Sequence, residues 1–179
     1  MKPDPDPPKA PEPKLKPAPA KPADTKPPDI ASASVPDTLA ALKVDPDTGL
    51  VPVVEPEGLM DGDHTLERCR AATEEVLRTV FNQLNSQRVL LEGMILKPNM
   101  VLPGLTCPKQ ESVNEVANVT VKSLWRTVPA AVPGIAFLSG GQSAELASAR
   151  LNTMNLRFNS RLPWALASSD DSMMLVALR

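Results

Sequence analysis

The residues best suited to chemistry are a lysine and two glutamates, each placed where an apolar run stops. Lys97 follows Leu91, Met94, Ile95 and Leu96 and precedes Pro98 in the stretch Leu91–Met100, LEGMILKPNM. A Lys is rarely directed into an apolar interior without a use. Loss of water there disfavours an ammonium, and the resulting free amine is a nucleophile suited to Schiff-base formation near neutral pH. The competing reading of Lys97 is a strand-end residue whose stem packs while its amine reaches water. Glu55 and Glu57 close the run Leu50-Val51-Pro52-Val53-Val54. Two residues apart on a strand, they project from one face. Crowding pushes one carboxyl of such a pair toward the neutral form and leaves the other ionised, which suits proton transfer beside an amine. Making an iminium from a ketone requires water to leave a carbinolamine, and a neutral carboxylic acid supplies that proton. The alternative for the pair is a cluster that caps a following helix or pairs with an Arg. Ser139-Gly140-Gly141 follows a third apolar run and precedes a helical stretch. Such a loop presents backbone N–H groups to an anion, phosphate above all, or is simply a turn.

The elements that position these groups follow from periodicity. Leu50–Val54 reads as a strand buried on both faces. Asp61-Gly62-Asp63 supplies candidate N-caps for a helix ending near Asn85. Its apolar stripe is Leu66, Cys69, Thr73, Val76, Val80 and Leu84, with Glu67, Arg68, Arg70, Glu74, Glu75 and Arg78 mostly opposite. Val89–Lys97 is the second strand. Gln110–Thr127 is the second helix, with Val113, Val116, Thr120 and Leu124 inward. Gly134–Leu138 is the third strand, Gln142–Asn155 the third helix and Pro163–Ala167 a short fourth strand. Strands alternating with helices of this length indicate a parallel α/β sheet, either open and doubly wound or part of an eight-stranded barrel. Both architectures carry their chemistry at the carboxyl ends of the strands, where Glu55, Glu57, Lys97 and Ser139–Gly141 all fall. His64 is expected in the first helical turn with a local hydrogen bond, Cys69 in the core, and Trp125 and Trp164 in packing.

Composition divides the 179-residue chain unevenly. Eleven of its 21 prolines lie in the first 30 residues. That stretch alternates Pro with Lys, Asp, Glu and Ala and has little to bury, so a solvated polyproline-like tail is expected. Pro8-Lys9-Ala10-Pro11 matches the loose PxxP pattern, and Thr38–Val44 is a weak helical patch that stops at Asp45-Pro46 and the turn Asp47–Gly49. Roughly 130–145 residues remain for one domain with a core of its own. A net charge of −2 gives no reason to expect nucleic acid or an anionic membrane as partner. Two cysteines and one histidine lack metal-ligand spacing, and no metal or other cofactor is expected. No apolar run approaches the ~20 residues of a membrane span, and no apolar leader is present, so the expected location is a reducing, cytoplasmic one.

Several of these segments resemble the class I fructose-bisphosphate aldolases. They are GLVPVVEPE at Gly49–Glu57, DGDH at Asp61–His64, LEGMILKPNM at Leu91–Met100, RTVP at Arg126–Pro129 with Pro133-Gly134, FLSGGQS at Phe137–Ser143 and PWAL at Pro163–Leu166. The resemblance runs from Gly49 to about Leu166 and implies strands five to eight of a (βα)8 barrel. It implies that Lys97 forms the Schiff base with dihydroxyacetone phosphate or the ketose. It implies that Glu55 serves as acid and base on the carbinolamine and in C3–C4 cleavage, with Glu57 its electrostatic neighbour. It implies that Ser139, Gly140 and Gly141 hold the C1 phosphate of a phosphorylated sugar substrate, with no metal needed. It also departs from the family. The first four strands are replaced by the Pro-rich leader, Ala167-Ser168-Ser169-Asp170-Asp171-Ser172 puts acids where the family binds phosphate, and the chain has no Tyr.

The expected organisation is a Pro-rich tail over 1–48, an aldolase-like half-barrel over 49–169 and a divergent tail over 170–179. The expected activity is reversible cleavage of fructose 1,6-bisphosphate in glycolysis, weak or absent in this chain alone. Four strands of eight leave open edges, which predicts a homo-oligomer. The alternative is a non-catalytic interaction or structural protein built on a self-associating half-barrel.

Overall fold

Five strands form one sheet in the order β1-β2-β3-β4-β5. They come from a computed structural model that describes residues 50–170 and 173–176. The tail over 1–48, its PxxP match and the patch Thr38–Val44 lie outside the described residues. β1 is Val53–Val54, β2 Ile95–Leu96, β3 Gly134–Phe137 and β4 Ala165–Asp170, all paired parallel. Between them run α1 (Leu66–Ser86), α2 (Val113–Thr127) and α3 (Ala144–Phe158). Neighbouring strands follow chain order without reversal, and α1 packs on α2 and α2 on α3. An open doubly wound sheet would reverse its strand order, so this is the wall of a partial (βα)8 barrel.

The first two strands are shorter than their apolar runs. Pro52, Pro56 and Pro98 carry no N–H and cannot extend a ladder. Leu91–Gly93 forms a 3₁₀ turn rather than strand. The strands are also fully buried on one face and only partly covered on the other. Val54, Leu96, Ile135, Phe137 and Leu166 point under the helices and are buried, whereas Val53 is 50% exposed and Ala165 lies open on the opposite face. The continuous apolar run at Leu50–Val54 therefore does not report burial on both sides, because the face turned away from the helices meets no second layer among the described residues.

Each helix begins at a hydroxyl cap: Thr65, Ser112 and Ser143 accept from the N–H of Arg68, Glu115 and Leu146. These caps satisfy N–H groups that the first turn leaves without partners. The cap of α1 is Thr65 rather than Asp61 or Asp63, so His64 precedes the helix, and its carbonyl accepts from Gly104 N–H at 2.8 Å.

The inward face of α1 consists of Leu66, Cys69, Glu74, Leu77, Phe81 and Leu84. Thr73, Val76 and Val80 lie at its margin, and Glu74 belongs to the inside. Its carboxylate accepts from Arg126 at 3.0 Å and Ser123 at 3.3 Å on α2, and from Arg78 at 2.8 Å on its own helix. Burial pushes this carboxyl up, but the hydrogen bonds from Arg126 and Arg78 outweigh it and hold the group below the ordinary carboxylate range. Cys69 packs in the core as expected, its Sγ accepting from Leu102 N–H at 3.4 Å, and burial pushes its thiol up. Trp164 packs too, donating to Pro129 O at 2.9 Å, whereas Trp125 is 40% exposed and meets Phe158 edge-on at 5.5 Å.

Within the C-terminal stretch, Met173–Val176 adds a strand to the sheet. β5, Met173–Val176, pairs antiparallel with β4, Ala167 opposite Val176 and Asp170 opposite Met173. Its apolar residues suit a strand. β4 thus gains a neighbour, and the open edge there moves to β5.

Candidate active site at the carboxyl rim of the sheet

Register alone brings Glu55 and Lys97 together. Val54 pairs with Leu96, and Lys97 N–H donates to Val54 O at 2.8 Å, so the next residue on each strand faces the other. Lys97 Nζ lies 2.9 Å from Glu55 Oε1. Both side chains leave the face of the sheet that the helices do not cover. The Lys97 side chain is 27% exposed and that of Glu55 42%. The dry amine expected from the apolar run is therefore not what this chain presents. The described residues enclose Lys97 from one side only, and a half-solvated ion pair results. An amine this close to a carboxylate can still exchange a proton with it directly.

Glu57 does not join that pair. It lines a separate cleft of about 180 Å³ with Asp61, Leu105 and Ser139-Gly140-Gly141. Glu55 pairs with Lys97 while Glu57 lines the cleft, and the expected carboxylate crowding is absent from the contacts of either.

The Ser139–Gln142 turn has positive φ at both Gly140 (58°) and Gly141 (76°), the signature of a type I′ turn. Gln142 N–H closes it on Ser139 O at 3.2 Å, and α3 starts directly after it. A side chain at either glycine would be strained. The turn stands directly ahead of the N-terminus of α3, and Ser139, Gly140 and Gly141 line the cleft.

Asn99, in the loop after β2, organises the rim. It is 5% exposed, accepts from Gly58 N–H at 2.6 Å and donates to Gly58 O at 3.1 Å. A Cβ on Gly140 would stand 3.4 Å from its Nδ2. The adjoining Pro98 O accepts from Leu138 N–H at 3.2 Å. Asn99 and Pro98 therefore tie together the loops that follow β1, β2 and β3. The available signal was a polar residue flanked by Pro98 and Met100 at the end of a buried run.

Comparison with known proteins bears on this geometry. A family model described as "Glycolytic: Fructose-bisphosphate aldolase class-I" matches residues 20–175. This chain belongs to the class-I fructose-bisphosphate aldolase family. It is 58% identical to fructose-bisphosphate aldolase B of Sparus aurata over 121 residues, which covers 68% of this chain and 33% of that one. It is 51% identical over 123 residues to the fructose-bisphosphate aldolase of Dictyostelium discoideum, covering 69% and 34%. It also resembles the solved fructose-bisphosphate aldolase of Plasmodium falciparum, in complex with TRAP and a small-molecule inhibitor, with TM-score 0.64 and 51% identity over 67% of this chain and 34% of that one. The chain spans about a third of the length of the aldolases it matches. No group of His, Cys, Asp and Glu among the described residues could hold a metal ion, and no helix among them is long and apolar enough to cross a membrane.

Proposed function

We propose that this chain carries one side of a Schiff-base aldolase site that acts on fructose 1,6-bisphosphate and dihydroxyacetone phosphate. The observation that carries the reading is the 2.9 Å contact between Lys97 Nζ and Glu55 Oε1 in a member of this family. Lys97 in its free-amine form attacks the C2 carbonyl and forms a carbinolamine. Glu55 protonates the departing hydroxyl, water leaves, and the iminium forms. Glu55, now ionised, takes the proton of the C4 hydroxyl as the C3–C4 bond breaks, and the bonding electrons pass into the iminium. The aldehyde product is glyceraldehyde 3-phosphate, and the enamine, protonated at C3 and hydrolysed, yields dihydroxyacetone phosphate. In this reading Ser139, Gly140 and Gly141 hold the C1 phosphate. Glu57, which faces the same cleft, supplies negative charge to the rim.

Activity of this chain alone is proposed to be weak. The ion pair is half solvated, and the described residues supply only one side of a substrate cradle. We place the aldolase-like half-barrel at 49–169, with 1–48 as a Pro-rich leader and 170–179 as a divergent tail that adds β5 to its sheet, in a cytoplasmic, homo-oligomeric protein. The decisive experiment is incubation with dihydroxyacetone phosphate or fructose 1,6-bisphosphate, borohydride reduction and mass mapping. The adduct is expected on Lys97 and should vanish in Lys97→Met. An unmodified Lys97 at saturating ketone would refute the Schiff-base reading.

A second reading, non-catalytic self-association, is favoured by the β1 edge. Leu50, Val51 and Val53 are 73%, 61% and 50% exposed. The Pro52 and Val54 carbonyls turn toward β2, so the Val53 peptide groups face outward, free to pair with another strand. Size-exclusion chromatography across a wide concentration range tests it, and a monomer throughout would refute it.

A further inference from the structure

Among the described residues, Arg150 is the one deeply buried cation, and the proposed chemistry leaves it unused. It stands on the inner stripe of α3 with Ala147, Leu151, Met154 and Phe158, and it is 4% exposed. Among the described residues no carboxylate forms an ion pair with it. Its Nε has no hydrogen-bond partner there, and its Nη1 donates to Gln142 Oε1 at 2.6 Å. Burial pulls the guanidinium below its ordinary pKa, yet an arginine in a protein keeps its proton. A buried cation without a counter-charge is strongly unfavourable. Gln142 is part of the candidate anion loop, and its Nε2 donates to Ser139 O at 2.9 Å. A continuous line of contacts thus runs from Arg150 through Gln142 to the Ser139–Gly141 turn.

We propose that Arg150 positions the Ser139–Gly141 turn through Gln142 and supplies the positive charge that lets this cleft hold a phosphate dianion. The proposal rests on the reading of that turn as a phosphate site and names the side chain that gives it its charge. Two physical effects act together. The guanidinium engages Gln142 Oε1, which leaves Nε2 to hold Ser139 O and keeps the turn in one conformation. Its charge lies where water does not screen it, so its field acts on the cleft more strongly than a surface cation would. That field is needed, because Glu57 and Asp61 line the same cleft and repel an anion. A dianion gains about twice what a monoanion gains from the same charge, so the cleft should prefer a phosphate monoester to a carboxylate.

The test titrates inorganic phosphate into the full chain and follows the Gly140 and Gly141 amide resonances, with thermal unfolding in parallel. Phosphate should shift both resonances, more strongly as pH rises through the second phosphate ionisation, around pH 6–7. Arg150→Met should weaken binding about tenfold and lose that pH dependence, and Arg150→Lys should recover part of both. Gln142→Glu gives Arg150 a carboxylate neighbour, so it should raise the melting temperature while abolishing phosphate binding. A residue that merely fills space would not move stability and binding in opposite directions. If Arg150→Met does not fold, Gln142→Glu decides. Wild type that responds to phosphate while Arg150→Met or Gln142→Glu responds equally would overturn the role of Arg150 alone. A wild type indifferent to phosphate would overturn the phosphate site, and the role of Arg150 with it.

Discussion

Replacing Glu74 with Gln keeps its volume and removes its charge, which isolates the ion-pair network between α1 and α2. The Glu74 side chain is only 10% exposed, while Arg78 and Arg126 are 53% and 52% exposed. The network therefore lies between an exposed pair, worth up to about 1 kcal/mol, and a buried one, whose disruption costs about 3–5 kcal/mol. Half-exposed guanidinium partners pull the figure toward the lower end, so Glu74→Gln should cost about 2 kcal/mol at neutral pH. The pH dependence carries a sign. Burial raises this carboxyl, but Arg126 and Arg78 hold it below the ordinary carboxylate value of about 4.5. A depressed folded-state pKa contributes stability that is fully present above the unfolded value and is lost as pH falls through the folded one. Urea unfolding followed by circular dichroism should show the full gap between wild type and variant at pH 7. That gap should narrow progressively once pH drops below about 4.5. A double-mutant cycle with Arg126→Met should return a coupling of about 1 kcal/mol that shrinks with added salt. A gap below about 0.5 kcal/mol at pH 7, or one that stays constant into acid, would refute the assignment of Glu74 as an interhelical anchor.

Two further outcomes are expected. Gly104→Ala should destabilise by more than about 2 kcal/mol, because a Cβ there would run into the backbone of Gly62, and backbone cannot swing aside as a side-chain tip can. An unchanged urea midpoint would contradict the close approach of the 60–64 and 104–106 segments. Lys97→Met should change stability by less than about 1 kcal/mol, since its ion pair with Glu55 is substantially exposed, while removing every trace of borohydride-trapped adduct. A large loss of stability would show that the pair holds the rim together.

Local pattern was enough for much of this molecule. Apolar runs broken by Pro and Gly marked where strands end, and helical periodicity marked three helices. The register of parallel strands carries such end positions to one rim, which is why Lys97 and Glu55 were found from sequence and meet at 2.9 Å. The Gly-Gly turn is likewise a short-range device, readable within a few residues, whereas the cap of α1 fell on Thr65 and not on Asp61 or Asp63. What sequence missed depends on partners far along the chain. A charged residue is expected on the outer face of α1, yet Glu74 is buried, held by Arg78 on its own helix and by Ser123 and Arg126, 49 and 52 positions on. Asn99 became the clasp of the rim through Gly58, 41 positions back. Arg150 sits on an apolar stripe where a one-dimensional pattern expects an aliphatic side chain. The hydration of Lys97 depends on how much wall stands opposite it, a property of the folded surface and not of its neighbours in the chain. The pairing of β5 with β4 required an edge to exist before Met173–Val176 could lie along it. Amino-acid order alone determined the elements and the ends at which chemistry could stand. Tertiary structure decided which charges are buried, which are wet and which loops touch, because those energies belong to pairs of distant residues brought within a few ångströms.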